Sequence, residues 1–242
     1  MTATPLLAVE ETTRRFNGLV AVDHVSFTLQ RGEIASIIGP NGAGKTTLFN
    51  LITGQLRQTS GRILFRAERI DTVPPHGRAQ RGMARTFQIP KPLISLSVQE
   101  NALVGAFLKH SLFKEAYRKA TSVLDEVGLA ARAHVLAGQL TLSERRRLEL
   151  ARALALEPEL ILLDEVMAGL DPIEIDQVIG LIKRLNSRGI TFLIVEHNLR
   201  VVRSFSSRLI VLDRGAKLAD GPTETVLRDG DVVRAYLGKR CI

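Results

Sequence analysis

Short, almost wholly apolar runs alternate along this chain with longer stretches in which apolar residues return every three or four positions. The short runs, bounded by turn-forming residues, predict strands at 6–10, 25–29, 33–38, 62–65, 160–163, 190–195, 209–213 and 217–220. The longer ones predict amphipathic helices at 98–108, 114–127, 143–156 and 173–187. Asp171-Pro172 supplies the cap and first turn of the last of these, and Gly189 marks its end. The pattern is an α/β core with one interruption. Between residues 89 and 140 no strand pattern occurs, and the interval opens on Pro90 and Pro92. It is read as an inserted helical subdomain, with the core at about 1–88 and 157–242 and the helical part at about 89–156.

One turn in the core carries specific chemistry. Gly39, Pro40, Asn41, Gly42, Ala43, Gly44, Lys45 and Thr46 follow the apolar run Ile34-Ala35-Ser36-Ile37-Ile38 directly, and helix-forming residues 46–52 come next. A glycine-rich turn between strand and helix lets successive backbone N–H groups face one centre, with the helix start favouring an anion there. Lys45 adds a charge that reaches terminal phosphates, and Thr46 a hydroxyl for Mg²⁺. Thr47 is placed with the loop in the nucleotide contact, so the chain is expected to bind a nucleoside triphosphate with magnesium.

Composition narrows the setting. Lys and Arg outnumber Asp and Glu by 33 to 25, a net charge of +8, but the arginines are scattered and lack the interleaved aromatics of a single-strand groove. No nucleic-acid partner is expected. No apolar stretch approaches the roughly 20 residues that cross a bilayer, and residues 1–7 lack a basic flank followed by a long apolar region, so a cytosolic chain is expected. The single cysteine, Cys241, excludes an internal disulfide.

A second constellation follows the helical block. Leu160-Ile161-Leu162-Leu163 ends in Asp164 and Glu165. Acids at a strand tip either cap the following turn or serve a nucleotide, Asp164 holding Mg²⁺ and Glu165 polarising the attacking water. Beyond them come Ala168-Gly169-Leu170-Asp171, and then His197 at the tip of the next predicted strand, either a surface residue or one that reaches a γ-phosphate. Gln88, where the core gives way to the helical block, carries a neutral amide able to sense Mg²⁺ and water.

Taken in this order, these residues resemble the nucleotide-binding subunits of ABC transporters over essentially the whole chain. The resemblance implies a P-loop NTPase (RecA-like) core with an antiparallel β part and an inserted α-helical subdomain. It gives catalytic roles to Lys45, Glu165 and His197, metal contacts to Thr46, Gln88 and Asp164, and the D-loop to Asp171. Phe16 falls where such proteins stack an aromatic ring on adenine, the alternative being a core phenylalanine. One element departs from the pattern. Where a Leu-Ser-Gly-Gly-Gln signature belongs, the chain reads Leu140-Thr141-Leu142-Ser143-Glu144, without either glycine. Thr141 keeps a hydroxyl, Ser143 keeps a backbone N–H, and Glu144 brings a negative charge toward an anion.

Members of this family sandwich two ATPs between paired subunits, each signature serving the other's nucleotide. The resemblance therefore implies a second ATPase subunit, either a sister chain or a second copy, and two membrane permeases, with a solute-binding protein acting indirectly. The chain would lie peripherally on the cytoplasmic face of the plasma (inner) membrane. The segments 85–88, 168–170, 196–198 and 232–238 resemble the branched-chain amino acid importers, whose group also takes urea and short amides. The alternatives are the ATPase of lipopolysaccharide extraction and a non-transport ABC ATPase acting on nucleic acid. The degenerate signature is expected to slow one ATP site and leave the site built on Lys45 and Glu165 hydrolytic.

Overall fold

The computed structural model describes residues 4–86 and 90–237. Residues Met1–Arg78 and Leu185–Ile242 form one compact unit and Ala79–Arg184 a second. The first unit opens with a hairpin of β1 (Leu7–Phe16) and β2 (Leu19–Leu29), closed by Asn17-Gly18. Next come β3 (Ile34–Ile38), α1 (Lys45–Ile52), β4 (Ser60–Phe65), β5 (Glu68–Arg69) and the short α2 (Pro75–Gln80). Strands β2, β1, β4 and β5 make an antiparallel sheet in that order.

In the second unit β6 (Met83–Arg85) precedes α3 (Val98–Ala106), α4 (Phe113–Glu126) and α5 (Leu142–Ala155), which pack on one another. Between residues 90 and 140 the described chain has no strand, only an isolated bridge from Ser97 to Leu136. Then β7 (Leu160–Asp164) pairs in parallel with β6, and α6 (Pro172–Ser187) follows. The predicted cap of α6 is present: Asp171 Oδ1 accepts from Glu174 N at 2.8 Å, and Glu174 Oε2 accepts from Asp171 N at 3.2 Å.

The chain returns to the first unit with β8 (Thr191–Val195), α7 (Leu199–Phe205), β9 (Arg208–Asp213), β10 (Ala216–Pro222), α8 (Thr223–Val226) and α9 (Gly230–Leu237). Here β3 lies between β8 and β9, parallel to both, and β10 runs antiparallel along β9. All five β3 residues are buried, as a strand covered on both faces requires. Ile38, Val202, Leu209, Val211, Val226 and Val232 pack into one apolar cluster beside it. Among the described residues no helix is long and apolar enough to cross a membrane.

The β1–β2 hairpin is longer than the sequence pattern indicates: its outer half pairs residues 12–16, mostly polar, with residues 19–25, which open on an apolar run without alternation. Strand β6 escaped that reading too, since three residues are too few to show a period.

Candidate functional site

In the first unit β3 delivers the chain into the glycine-rich loop, and α1 begins at Lys45. The loop is tight where it must be. A Cβ on Gly39 would fall 2.2 Å from Leu212 O, and one on Gly44 2.3 Å from Ala21 O, so neither position admits a side chain without displacing backbone. Gly44 also sits at φ 96°, a left-handed conformation that suits glycine. Ala43 N donates to Pro40 O at 3.1 Å, and Gly215 N to Ala43 O at 3.1 Å, which fix the turn's curvature. Lys45 is buried, its Nζ donating to Gly39 O at 2.7 Å and Pro40 O at 3.0 Å. Asn41, Gly42 and Thr46 are exposed.

The start of α1 is bare: no side chain caps it and no acid lies in its first turn. A helix start with no acceptor from its own first turn keeps its N–H groups and partial positive charge for an anion such as phosphate. The far end is closed instead. Arg78, 2% exposed, donates from Nη1 to Leu51 O and Ile52 O at 2.8 and 2.6 Å, from Nη2 to Ile70 O at 2.7 Å and from Nε to Val73 O at 2.9 Å. One guanidinium thus gathers the last carbonyls of the phosphate-loop helix.

In the second unit all of β7 is buried through Asp164. Asp164 Oδ2 accepts from Arg85 Nη2 at 2.8 Å, with the two side chains 6% and 8% exposed. Carboxylate and hydroxyl oxygens such as those of Asp164 and Thr46 are the hard donors that Mg²⁺ takes, so these residue types fit the ion. Glu165 follows at φ 49°, a conformation that non-glycine residues adopt rarely and often at functional turns. Its carbonyl accepts from Ala168 N, and Arg146 Nη1 of α5 donates to Val166 O at 2.6 Å, tying that helix to the turn beyond the acids.

The helix start at the departed signature is the reverse of α1. Thr141 caps α5, its side chain accepting from Glu144 N at 3.3 Å, while Glu144 Oε2 accepts from Thr141 N at 2.9 Å. Glu144 Oε1 also meets Arg132 Nε at 3.0 Å. The Thr141 N–H holds the Glu144 carboxyl below the ordinary glutamate range, with help from Arg132 and against the effect of burial. The negative charge expected near a partner's phosphate is therefore folded back onto the chain's own helix. The Thr-x-x-Glu spacing was visible in the sequence and is the signal that would have found this box.

The remaining candidates divide between the units. Phe16 ends β1 at 37% exposure with the Arg14 guanidinium 4.4 Å from its ring centroid, so it is no core residue. His197 is exposed just after β8, ahead of Asn198, which caps α7. Asp171 and Ser143 lie at the starts of α6 and α5. Gln88 lies outside the described residues. Sequence reasoning did not find the partners of Arg78 and Arg85: the segment 85–88 was read only as a likeness to one group of importers, and what each guanidinium holds is acceptors brought in by other segments.

Known proteins with this arrangement are numerous. LivG of Salmonella typhimurium, a high-affinity branched-chain amino acid transport ATP-binding protein, is 40% identical, with 97% of this chain and 98% of that protein covered. LptB of Haemophilus influenzae, a lipopolysaccharide export system ATP-binding protein, is 36% identical over the same shares of the two chains. Among solved structures, a nucleotide-free ATP-binding cassette from an ABC transporter superposes with a TM-score of 0.88 at 32% identity, covering 98% of this chain and 100% of that one. The ABC transporter family profile matches residues 22–168. With the bare phosphate loop and the buried acid strand, these likenesses establish that the chain belongs to the ABC transporter family of ATP-binding cassettes.

Proposed function

We propose that this chain is the ATP-binding and hydrolysing subunit of an importer for branched-chain amino acids or related small solutes such as urea and amides. The observation that carries the reading is end-to-end likeness to a branched-chain amino acid transport ATP-binding protein, at 40% identity. The lipopolysaccharide export relative stands lower, at 36%.

In this reading the loop from Gly39 to Thr46, with Thr47, grips the phosphates and Lys45 neutralises their charge. Phe16 offers its exposed ring to the base. Thr46, Asp164 and Gln88 serve Mg²⁺, which when bound offsets charge on the phosphate oxygens. Glu165 orients and deprotonates the attacking water, and His197 steadies the γ-phosphate. Thr141, Ser143 and Glu144 face the nucleotide of a second ATPase subunit, with Asp171 at the same joint.

The chain sits on the cytoplasmic face of the membrane beneath two permeases, and a solute-binding protein acts through them. Two exposed apolar surfaces of the second unit support a membrane-embedded partner. One is Leu93 and Ile94, just past the residues that carry Gln88. The other is the ring cluster Phe107, Phe113 and Tyr117, with centroids 6.3 and 5.8 Å apart.

Glu165→Gln in the reconstituted complex tests the core of this reading. Hydrolysis should fall on the order of 10² to 10⁴-fold while ATP is still retained, and uptake of a labelled branched-chain amino acid into vesicles should stop. Undiminished hydrolysis would remove Glu165 from the mechanism. Full hydrolysis without uptake by the unmodified complex would remove the amino-acid assignment.

A further inference from the structure

We infer that Arg85 is a positioning residue for Asp164, ordering that carboxylate before any cation arrives and thereby setting the site's metal affinity. The inference rests on the reading of Asp164 as a magnesium ligand and goes beyond it by naming what prepares the ligand.

The geometry comes from two adjacent strands of one unit. Strands β6 and β7 run in parallel, Arg85 opposite Leu162, and Thr86 N extends the ladder to Leu162 O at 3.0 Å. Arg85 is the last residue of β6 and Asp164 the last of β7, so the ladder brings the guanidinium to the carboxylate at the strand ends, Nη2 to Oδ2 at 2.8 Å. Both side chains are more than nine-tenths buried.

Such a pair is not explained by stability alone. Removing two charges from water is costly, and a pair of apolar side chains of similar volume would hold two strands together at least as well. Ion pairs at such places repay their desolvation when orientation matters. A carboxylate that will ligate a metal is commonly fixed by a hydrogen bond from outside the coordination sphere, and loss of that partner weakens metal binding. The backbone on the other side is equally committed: at Glu165 the chain turns sharply at φ 49°, so Asp164 is held by β7 behind it and by the turn ahead. Arginine suits the task because its guanidinium keeps its charge in a buried place, where an ammonium sheds its proton more readily.

The test uses Mn²⁺ as an EPR-visible surrogate and a non-hydrolysable ATP analogue, with the full chain and its Arg85→Gln, Arg85→Lys and Asp164→Asn variants. Arg85→Gln should weaken Mn²⁺ binding about 10 to 100-fold, leaving metal-free affinity for the analogue within a factor of about two of the unmodified chain. Arg85→Lys should recover part of the loss. A purely structural staple would lower thermal stability and both affinities together, and that pattern overturns the inference. So does unchanged or tighter Mn²⁺ binding in Arg85→Gln, which would make the guanidinium a competitor of the metal. Asp164→Asn separates the two levels: normal Mn²⁺ binding there refutes the role of Asp164 itself, whereas a loss there with none in Arg85→Gln refutes only the role of Arg85.

Discussion

Helices α1 and α5 begin in opposite ways. The start of α1 has glycine at its cap, no side-chain cap bond and no acid in its first turn, so the helix itself supplies no anion to its first N–H groups. The start of α5 is closed by a reciprocal Thr141–Glu144 box, with Arg132 on the same carboxylate. Helix α3 is closed in the same manner by Ser97 and Glu100. A capped start is the stable solution, worth about 1 kcal/mol, and α3, α5 and α7 use it, whereas α4 begins at Leu112 without a side-chain cap. Glycine at the start of α1 forgoes the side-chain acceptor and leaves the place open to an anion. The departed signature belongs on the capped side of this contrast: it has become structurally self-sufficient at the place where its relatives' pattern calls for glycines.

If α1 has no support at its start, its far end must hold it, and the largest predicted effect lies there. Arg78→Ala removes the donor shared by four carbonyls, three of them in buried hydrogen bonds. It should destabilise the chain on the order of 3–5 kcal/mol, lowering the melting temperature on the order of 10 °C. Arg78→Lys should recover less than half, because one ammonium cannot span acceptors arranged around a planar fork. A melting temperature within about 2 °C of the unmodified chain would mean that α1 stands on its apolar face, Leu48, Phe49, Leu51 and Ile52, without that anchor.

The next prediction converts one helix start into the other. Thr47 occupies in α1 the place that Glu144 occupies in α5, three residues past the cap. Thr47→Glu should therefore supply an internal anion to the bare N–H groups. ATP retention is expected to weaken at least about tenfold, with nucleotide-free thermal stability unchanged or slightly raised. Isothermal titration with ATP and a melting curve read the two effects apart. Undiminished ATP affinity would show that the start of α1 is not where phosphate sits.

Much of this contrast was legible in the residues themselves. Gly39 to Thr46 behind a buried apolar strand, Asp164 and Glu165 at the tip of another, and Asp171-Pro172 opening α6 all show in the sequence because each is a local pattern. The box at Thr141 and Glu144 was equally local, a Thr-x-x-Glu spacing that overlaps the stretch where the family's signature belongs. Arg78 and Arg85 were illegible for a different reason. Arg78 draws acceptors from residues 51, 52, 70 and 73, and Arg85 finds Asp164 only because β6 and β7 pair. No window of sequence contains either set, so packing had to be seen before these side chains had a meaning. The outer half of the β1–β2 hairpin was lost to the same limit, since a mostly polar stretch pairs there with an apolar run that does not alternate.

The smallest effect tests whether Glu144 acts as a charge or only as a hydrogen-bond acceptor. Its carboxyl is held below the ordinary range by the Thr141 N–H, then by Arg132, so its folded pKa is lower than its unfolded one. A group depressed in this way adds stability that is present above the unfolded value, about 4.3, and is lost as the pH falls through the folded value. Glu144→Gln keeps an acceptor three residues past the cap but no charge, and near pH 7 it should cost about 0.3 to 1 kcal/mol. Lowering the pH below about 4 should bring the melting curves of the two proteins together, as the glutamate is protonated and loses the same advantage. Glu100, whose carboxyl is held down in the same direction by the Ser97 N–H and hydroxyl, provides the parallel case on α3. If the difference at Glu144 persists unchanged into acid while that at Glu100 disappears, the Arg132 contact contributes nothing through charge. The signature helix would then be closed by hydrogen bonding alone.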